Sequence, residues 1–309
     1  MGGVEILPFA DEHLNGAAVV LAERHRRHRA VEPLLPEDAD FRAEIETEWR
    51  GNGASGAVAI DSGDVVGFLV GHRREDAVGP PVWSSIAGNA VRVPELTRDL
   101  YRVASARWVK EGLTRHFVFV PKLDDLIEPW FRLGFGASAA LATRETEPVA
   151  VLDRCVSIRL STPDDLETAV VYDRVLGEHL AQAPSFGGLP VPTRAESLAE
   201  WQGTWSEEQF THFVAERDGR PVGHLLLYRR PADLRVPADS IDLANAVSDP
   251  GKRCFGIGLA LTAHVLTWAH AHGYPTMTTD WRMTNLEASR FWPRRGFRET
   301  FLRLSRSIP

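Results

Sequence analysis

SIDLANAVSDPGKRCFGIGLALTAHVLTWAHAHGYPTMTTDWRMTNLEASRFWPRRGF, residues 240–297, is the stretch whose reading decides the fold. A β-type run from Ile241 to Val247 leads in, and an amphipathic helix leads out. Ile257, Leu261, Val265 and Trp268 recur at helical spacing, so one side of that helix faces a core. Gly256 and Gly258 stand where the loop turns into the helix, and backbone can approach a ligand there without a Cβ in the way. The first N–H groups of a helix have no partner inside it, and the helix dipole adds positive potential. Together these features make a phosphate cradle. A P-loop would need Lys and Ser/Thr after its last glycine, where Leu259-Ala260 stand. A dinucleotide fingerprint would need a third Gly or Ala at position 261, which is Leu.

What remains is Arg-x-x-Gly-x-Gly at 253–258, preceded by Val247-Ser248-Asp249-Pro250 and followed by Asn285, Ala288, Phe291 and Gly296-Phe297. In both stretches, and in their order and spacing, the chain resembles the GNAT superfamily of acyl-CoA N-acyltransferases. The resemblance implies a mixed α/β fold, with a largely antiparallel sheet flanked by helices, and acetyl-CoA as co-substrate.

The rest of the chain repeats this domain. Glu5-Ile6-Leu7 followed by Asp11-Glu12 returns as Ser157-Ile158-Arg159-Leu160 followed by a Ser/Thr-Pro-Asp-Asp helix start. GDVVGFLVGHRR at 63–74 matches GRPVGHLLLYRR at 219–230, and Pro129–Phe135 matches Phe291–Phe297. Three matches in one order, at nearly constant offset, indicate two tandem domains, 1–152 and 153–309. In the first copy Val91 is the counterpart of Val247, but Arg92-Val93-Pro94-Glu95 follows in place of the glycines. Glu95 would set a carboxylate where a diphosphate should sit, so the N-terminal copy reads as degenerate.

Composition sets outer bounds. A formal net charge of −7 does not suggest a nucleic-acid binder. Two cysteines give no disulfide framework and point to a reducing, cytoplasmic setting. No 18-residue apolar run and no secretory signal are seen, so no membrane is expected as a partner. No metal is expected, because His264, His270 and His272 lack ligand spacing. The basic run Glu23–Arg29, ERHRRHR, reads as a solvated helix face. A monomer or a homodimer is compatible with all of this.

The resemblance implies that residues 253–258 (Arg253, Cys254, Phe255, Gly256, Ile257, Gly258) hold the CoA diphosphate, with Ile257 and Leu259 anchoring the loop in the core. The pantetheine arm would pair with the strand edge at Ala246-Val247, in the manner of an added strand. The backbone N–H near Val247 would polarise the thioester oxygen. Asn285, Ser289 and Trp292 complete the expected cofactor contacts. The nucleophile would be a primary amine of a small molecule, which must lose a proton from an ammonium of pKa ~10. Asp242 and Asp280 are the candidate bases, and a turn or salt-bridge role is open to either. Where the family usually carries a tyrosine acid this chain has Trp292, and indole donates no proton at useful pKa. Tyr228 and Tyr172 are other donors by residue type alone. The insertion 184–209 would shape the acceptor pocket, with Glu178, Trp201, Trp205 and Tyr228 lining it. Two rival readings are a non-catalytic acyl-CoA-binding protein, which the Trp292 departure supports, and a protein N-acetyltransferase.

Overall fold

The computed structural model describes residues 3–75, 79–150, 156–187, 190–249, 251 and 256–309. The chain forms two compact units. One comprises Met1–Leu141, Asp233–Arg235 and Glu299–Pro309; the other comprises Ala142–Ala232 and Val236–Arg298. The C-terminal eleven residues thus count with the first unit, not the second.

The first unit opens with β1 (Glu5–Pro8), a 3₁₀ turn and α1 (Leu14–Arg29), followed by α2 (Phe41–Trp49). Strands β2 (Ser55–Asp61), β3 (Asp64–Arg73), β4 (Val82–Ser84) and β5 (Asn89–Val91) come next, then α3 (Leu96–Lys110), β6 (Arg115–Pro121), α4 (Asp124–Arg132) and β7 (Gly136–Glu145). The second series is β8 (Ser157–Leu160), a 3₁₀ turn, α5 (Leu166–Ala181), α6 (Arg194–Trp205), β9 (Phe210–Arg217), β10 (Arg220–Tyr228) and β11 (Ser240–Ser248). It continues through α7 (Ile257–Ala271), β12 (Thr276–Arg282), α8 (Leu286–Phe291) and β13 (Arg298–Ser307). In the first unit the order β1-β2-β3-β4-β6-β13 is antiparallel apart from β4–β6. In the second, β8-β9-β10-β11 are antiparallel and β11–β12 parallel.

The duplication is visible in local devices as well as in element order. Both helices α1 and α5 are 16 residues long, and both α3 and α7 are 15. The backbone N–H ahead of each N-terminal 3₁₀ turn is taken by the side chain three residues on. Ala10 donates to His13 Nδ1 at 2.9 Å, and Thr162 donates to Asp165 Oδ2 at 2.8 Å. Ser62-Gly63 and Asp218-Gly219 both have positive φ, the backbone a two-residue hairpin turn requires. The Trp-to-Phe corner also recurs. Trp130 meets Phe135 edge-on at 5.0 Å and Trp292 meets Phe297 at 5.4 Å, each pair spanning a glycine of positive φ.

Gly67 and Gly223 mark where each sheet admits its helix. A Cβ at Gly223 would lie 3.0 Å from Ile257 Cγ2, Leu261 Cδ1 and Val247 O. Ile257, Leu261 and Val265 are 2%, 2% and 0% exposed, so the helical face read from the sequence is the buried one. Gly223→Val is therefore expected to destabilise the second unit by about 1–3 kcal/mol through overpacking, read as a lower Cm in urea.

The basic run on α1 departs from its reading. Arg24, His25 and His28 are buried at 4%, 2% and 2% exposure. Charge counting along one helix cannot see the elements that later cover it. His28, edge-on to Phe301 at 4.8 Å, is part of the first unit's core, whose largest buried side chains include Phe68, Phe301, Leu21 and Ile45.

Candidate active site

The second unit's site is built on a parting of two parallel strands. β11 pairs with β12 from Ser240–Thr276 to Leu243–Thr279. Among the described residues no pairing continues, although β11 runs on to Ser248 and β12 to Arg282. On its other side β11 stays bonded to β10, with a register shift that leaves Ala244 unmatched between Leu226–Asn245 and Leu227–Leu243. Such a bulge bends a strand and raises its twist. The edge from Asn245 to Ser248, which includes Ala246 and Val247, therefore offers backbone groups that an extended amide ligand can pair with. Ala246 is half-buried and Val247 is 8% exposed.

Beyond this edge the chain reaches the glycine bend. Arg253, Cys254 and Phe255 lie outside the described residues. Gly256 sits at φ 76° and ψ 5°, a left-handed conformation at the helix start. The helix closes its first bond from Ala260 N to Gly256 O at 2.9 Å. The N–H groups of Ile257, Gly258 and Leu259 are thus the ones α7 cannot use internally. A Cβ at Gly258 would be in ordinary contact with the Phe291 ring at 3.6 Å, so α8 packs beside this turn. Leu259 does not anchor the loop in the core: it is 49% exposed, and Ile257 alone fills that role. The two side chains lie two residues apart on a helix, so one turns outward when the other turns in.

Leu259 instead borders a groove of about 500 Å³. Ala263 and Leu266 of α7, Val149, Arg294 and Arg295 are among its other walls. Arg144 donates to the carbonyl of Arg295 and pairs with Glu147 at 3.0 Å, while the Arg295 guanidinium lies 4.9 Å from the Phe291 ring centre. Sequence reasoning quoted Arg294-Arg295 but gave them no role, because nothing local places them beside the start of α7.

The two candidate bases separate. Asp242 is 5% exposed. Its Oδ2 accepts from Arg230 Nη2 at 2.8 Å and its Oδ1 from Thr278 Oγ1 at 2.6 Å. That carboxylate joins the end of β10 to the paired part of β11 and β12, as a buried salt bridge and not an open base. Asp280 is exposed on β12, one residue past the last strand pair.

Asn285 serves as the N-cap of α8, accepting from Ala288 N at 3.2 Å, and its Oδ1 lies 3.3 Å from His179 Nε2. It is 8% exposed, so the side chain is committed to the helix start. Ser289 is half-buried on α8. Trp292 is 7% exposed and packs edge-on against both Phe291 and Phe297. Its twin Trp130 meets Phe135 edge-on in the degenerate copy, so the indole is part of a folding corner. Tyr172 donates to Pro221 O at 3.3 Å, and burial, with the Asp249 carboxylate, pushes its pKa up to about 12. Tyr228 is half-buried, stacks on Phe210 at 4.8 Å and carries Arg230 at 5.4 Å from its ring centre.

The expected acceptor wall is not formed by the tryptophans. Trp201, 4% exposed, and Trp205 pack into a satellite core with Ala169, Val170 and Leu226. Amphipathic α6 docks its apolar side on the sheet, which its spacing alone did not distinguish from a cleft lining. Glu178 is exposed and 3.6 Å from Arg174. The residues that do meet the end of β12 come from the start of the insertion. Arg282 Nη1 donates to Gly187 O at 2.9 Å, and Thr284 Oγ1 approaches Ser185 O at 3.4 Å.

The same α6 contact holds two buried histidines. His212 stacks on Trp205 at 4.0 Å, and Trp201 stands edge-on to His224 at 4.9 Å. Burial pushes their pKa values down to about 4 and about 3. Both are neutral in the folded unit, while the unfolded chain takes up protons near pH 6.5. Their contribution is therefore whole above pH ~6.5 and is lost as pH falls from there toward ~4. Melting from pH 7.5 to 4.5 is expected to show falling stability, with a slope made shallower by His224→Leu.

In the first unit the corresponding strand is broken. β4 pairs with β6, whereas β5 pairs only with β3 among the described residues. Asn89 Nδ2 donates to Phe119 O of β6 at 3.0 Å, and Arg24 donates to the carbonyls of Asn89 and Ile86. The parting that stays open to ligand groups in one copy is stitched by side chains in the other.

Residues 178–297 match the profile of the acetyltransferase (GNAT) family. Over these residues the chain carries a domain of that family. Acyl transfer from an acyl-CoA is the chemistry that this family carries. No curated protein matches the sequence. Among solved structures, a GCN5-related N-acetyltransferase from Sphaerobacter thermophilus superposes with a TM-score of 0.60 at 13% identity, over 98% of this chain and 95% of that one. A tandem GNAT protein from the clavulanic acid biosynthesis pathway, solved without AcCoA, gives 0.55 at 16% identity, over 99% of each. A GNAT-family acetyltransferase from Colwellia psychrerythraea gives 0.51 at 11% identity, over 99% and 100%. At these identities the likeness is one of fold. It bears out the tandem, mixed-sheet GNAT architecture. No helix among the described residues is long and apolar enough to cross a membrane.

Proposed function

We propose that the second unit transfers an acetyl group from acetyl-CoA to a primary amine of a small molecule. The observation that carries the reading is the parting of β11 from β12 directly ahead of a left-handed glycine at the start of α7. Acetyl-CoA supplies the activated thioester. The edge Asn245–Ser248 offers backbone partners for its amide arm, and the N–H groups of Ile257, Gly258 and Leu259 offer donors for its diphosphate. Arg294 and Arg295 add positive charge along the adjoining groove.

Backbone N–H groups of the unpaired β11 edge are placed to stabilise negative charge on a carbonyl oxygen. Asp280 is the carboxylate at the parting, and it takes the amine proton directly or through water. Trp292 holds the α8 corner, so the sulfur leaves without help from that position. A thiol pKa near ~8.5 makes thiolate a tolerable leaving group.

The test is calorimetry with CoA, followed by acetyl transfer to a panel of polyamines, aminoglycosides and amino acids. Binding with turnover of at least one amine supports the proposal; absence of CoA binding ends it. Binding without turnover favours the second reading, an acyl-CoA-binding protein, which the packing of Trp292 supports. The double change Arg294→Glu and Arg295→Glu is expected to weaken CoA binding about 10-fold at low salt, and less at 0.5 M salt because exposed charges are screened.

A further inference from the structure

Arg24 of the first unit is a buried cation without a counter-charge. It is 4% exposed. Nη1 donates to Asn89 O and Nη2 to Ile86 O at 2.7 Å, whereas Nε has no partner. A guanidinium carries five N–H donors, so most of its capacity is unspent. Burial brings its pKa down to about 9, which leaves it charged at neutral pH. It forms no ion pair with a described carboxylate. The side-chain amide of Asn89, whose backbone carbonyl Arg24 holds, already donates to Phe119 O.

The guanidinium borders a cavity of about 20 Å³, lined by Asn89 and Thr97 and by the apolar Val91, Leu100, Leu126 and Trp130. That volume admits one water or one monatomic ion. A water there would have Arg24, Asn89 and Thr97 as polar neighbours, but it would leave the buried positive charge unbalanced. A buried charge, by contrast, is stable when an opposite one stands against it. The space is too small for a phosphate or for a pantetheine arm.

We infer that Arg24 binds a single monovalent anion of chloride size, and that this ion is part of the folded first unit. The proposal is independent of acyl transfer in the second unit. It accounts for a cation at the core of a copy whose strand parting has been closed by side chains.

Two measurements on the full chain test it. In crystals grown with bromide, an anomalous peak is expected beside Nε of Arg24. In solution at constant ionic strength, Tm is expected about 3 °C higher in 300 mM chloride or bromide than in gluconate, the shift of an ion present at several times its Kd. Arg24→Met should lose that dependence. If that variant does not fold, the wild-type halide series and the bromide map still decide. Crystals with no bromide peak at this place overturn the inference, as does a peak without any halide effect on Tm, which would mark an adventitious ion only. A halide effect that persists in Arg24→Met overturns it as well.

Discussion

Gly256→Val is expected to cost CoA affinity up to about 30-fold while leaving the second unit folded. Gly256 stands at φ 76°, and a β-branched residue there is a genuine outlier. The left-handed conformation costs about 1–2 kcal/mol for an L-residue, and every 1.4 kcal/mol is tenfold in affinity. The bend would relieve that strain by rotating out of the left-handed region. The N–H groups of Ile257 and Gly258 would then no longer converge on one phosphate. The core face of α7 begins at Ile257 and is held by Leu261 and Val265, so the helix itself should persist. Calorimetry with CoA, beside far-UV circular dichroism, separates the two effects. An unchanged Kd would mean that the bend is not the phosphate site.

The second large effect falls on Asp242 and concerns stability. Its carboxylate is buried between Arg230 and Thr278, so Asp242→Ala removes the acceptor that its oxygens give to both side chains. Breaking a buried pair from one side costs about 3–5 kcal/mol. Arg230 is partly exposed and can turn to water, which puts the expectation near the lower end, about 3 kcal/mol. For a unit of this size that is a Tm drop of roughly 6–12 °C. Turnover measured well below the new Tm should survive in Asp242→Asn, which keeps an acceptor for Thr278. Asp280→Asn should instead lower kcat measured well below its Tm, most clearly at low pH where fewer amines are deprotonated. Loss of turnover in Asp242→Asn with an unaltered melt would return the base to Asp242.

Much of the architecture was legible because it rests on local signals. Glycines at 67 and 223, hairpin turns at 62–63 and 218–219 and the Trp-to-Phe corners each write a short-range constraint into adjacent residues. Two copies at a steady offset then reinforce each other. The glycine bend was legible for the same reason, since helix starts and positive φ are set by neighbours in the chain.

The sequence by itself determined that there are two copies of one mixed-sheet fold, that a helix begins at a glycine bend, and that the bend survives in only one copy. Tertiary structure decided what each side chain faces. Asp242 and Asp280 are two residues of one type near strand ends, yet one is walled in by Arg230 and Thr278 and the other meets solvent. Trp201 and Trp205 became core, Leu259 turned outward to a groove with Arg294 and Arg295, and Arg24 left a basic run to lie buried. Propensity and periodicity act over a few residues, whereas burial and charge pairing depend on segments tens to hundreds of positions apart.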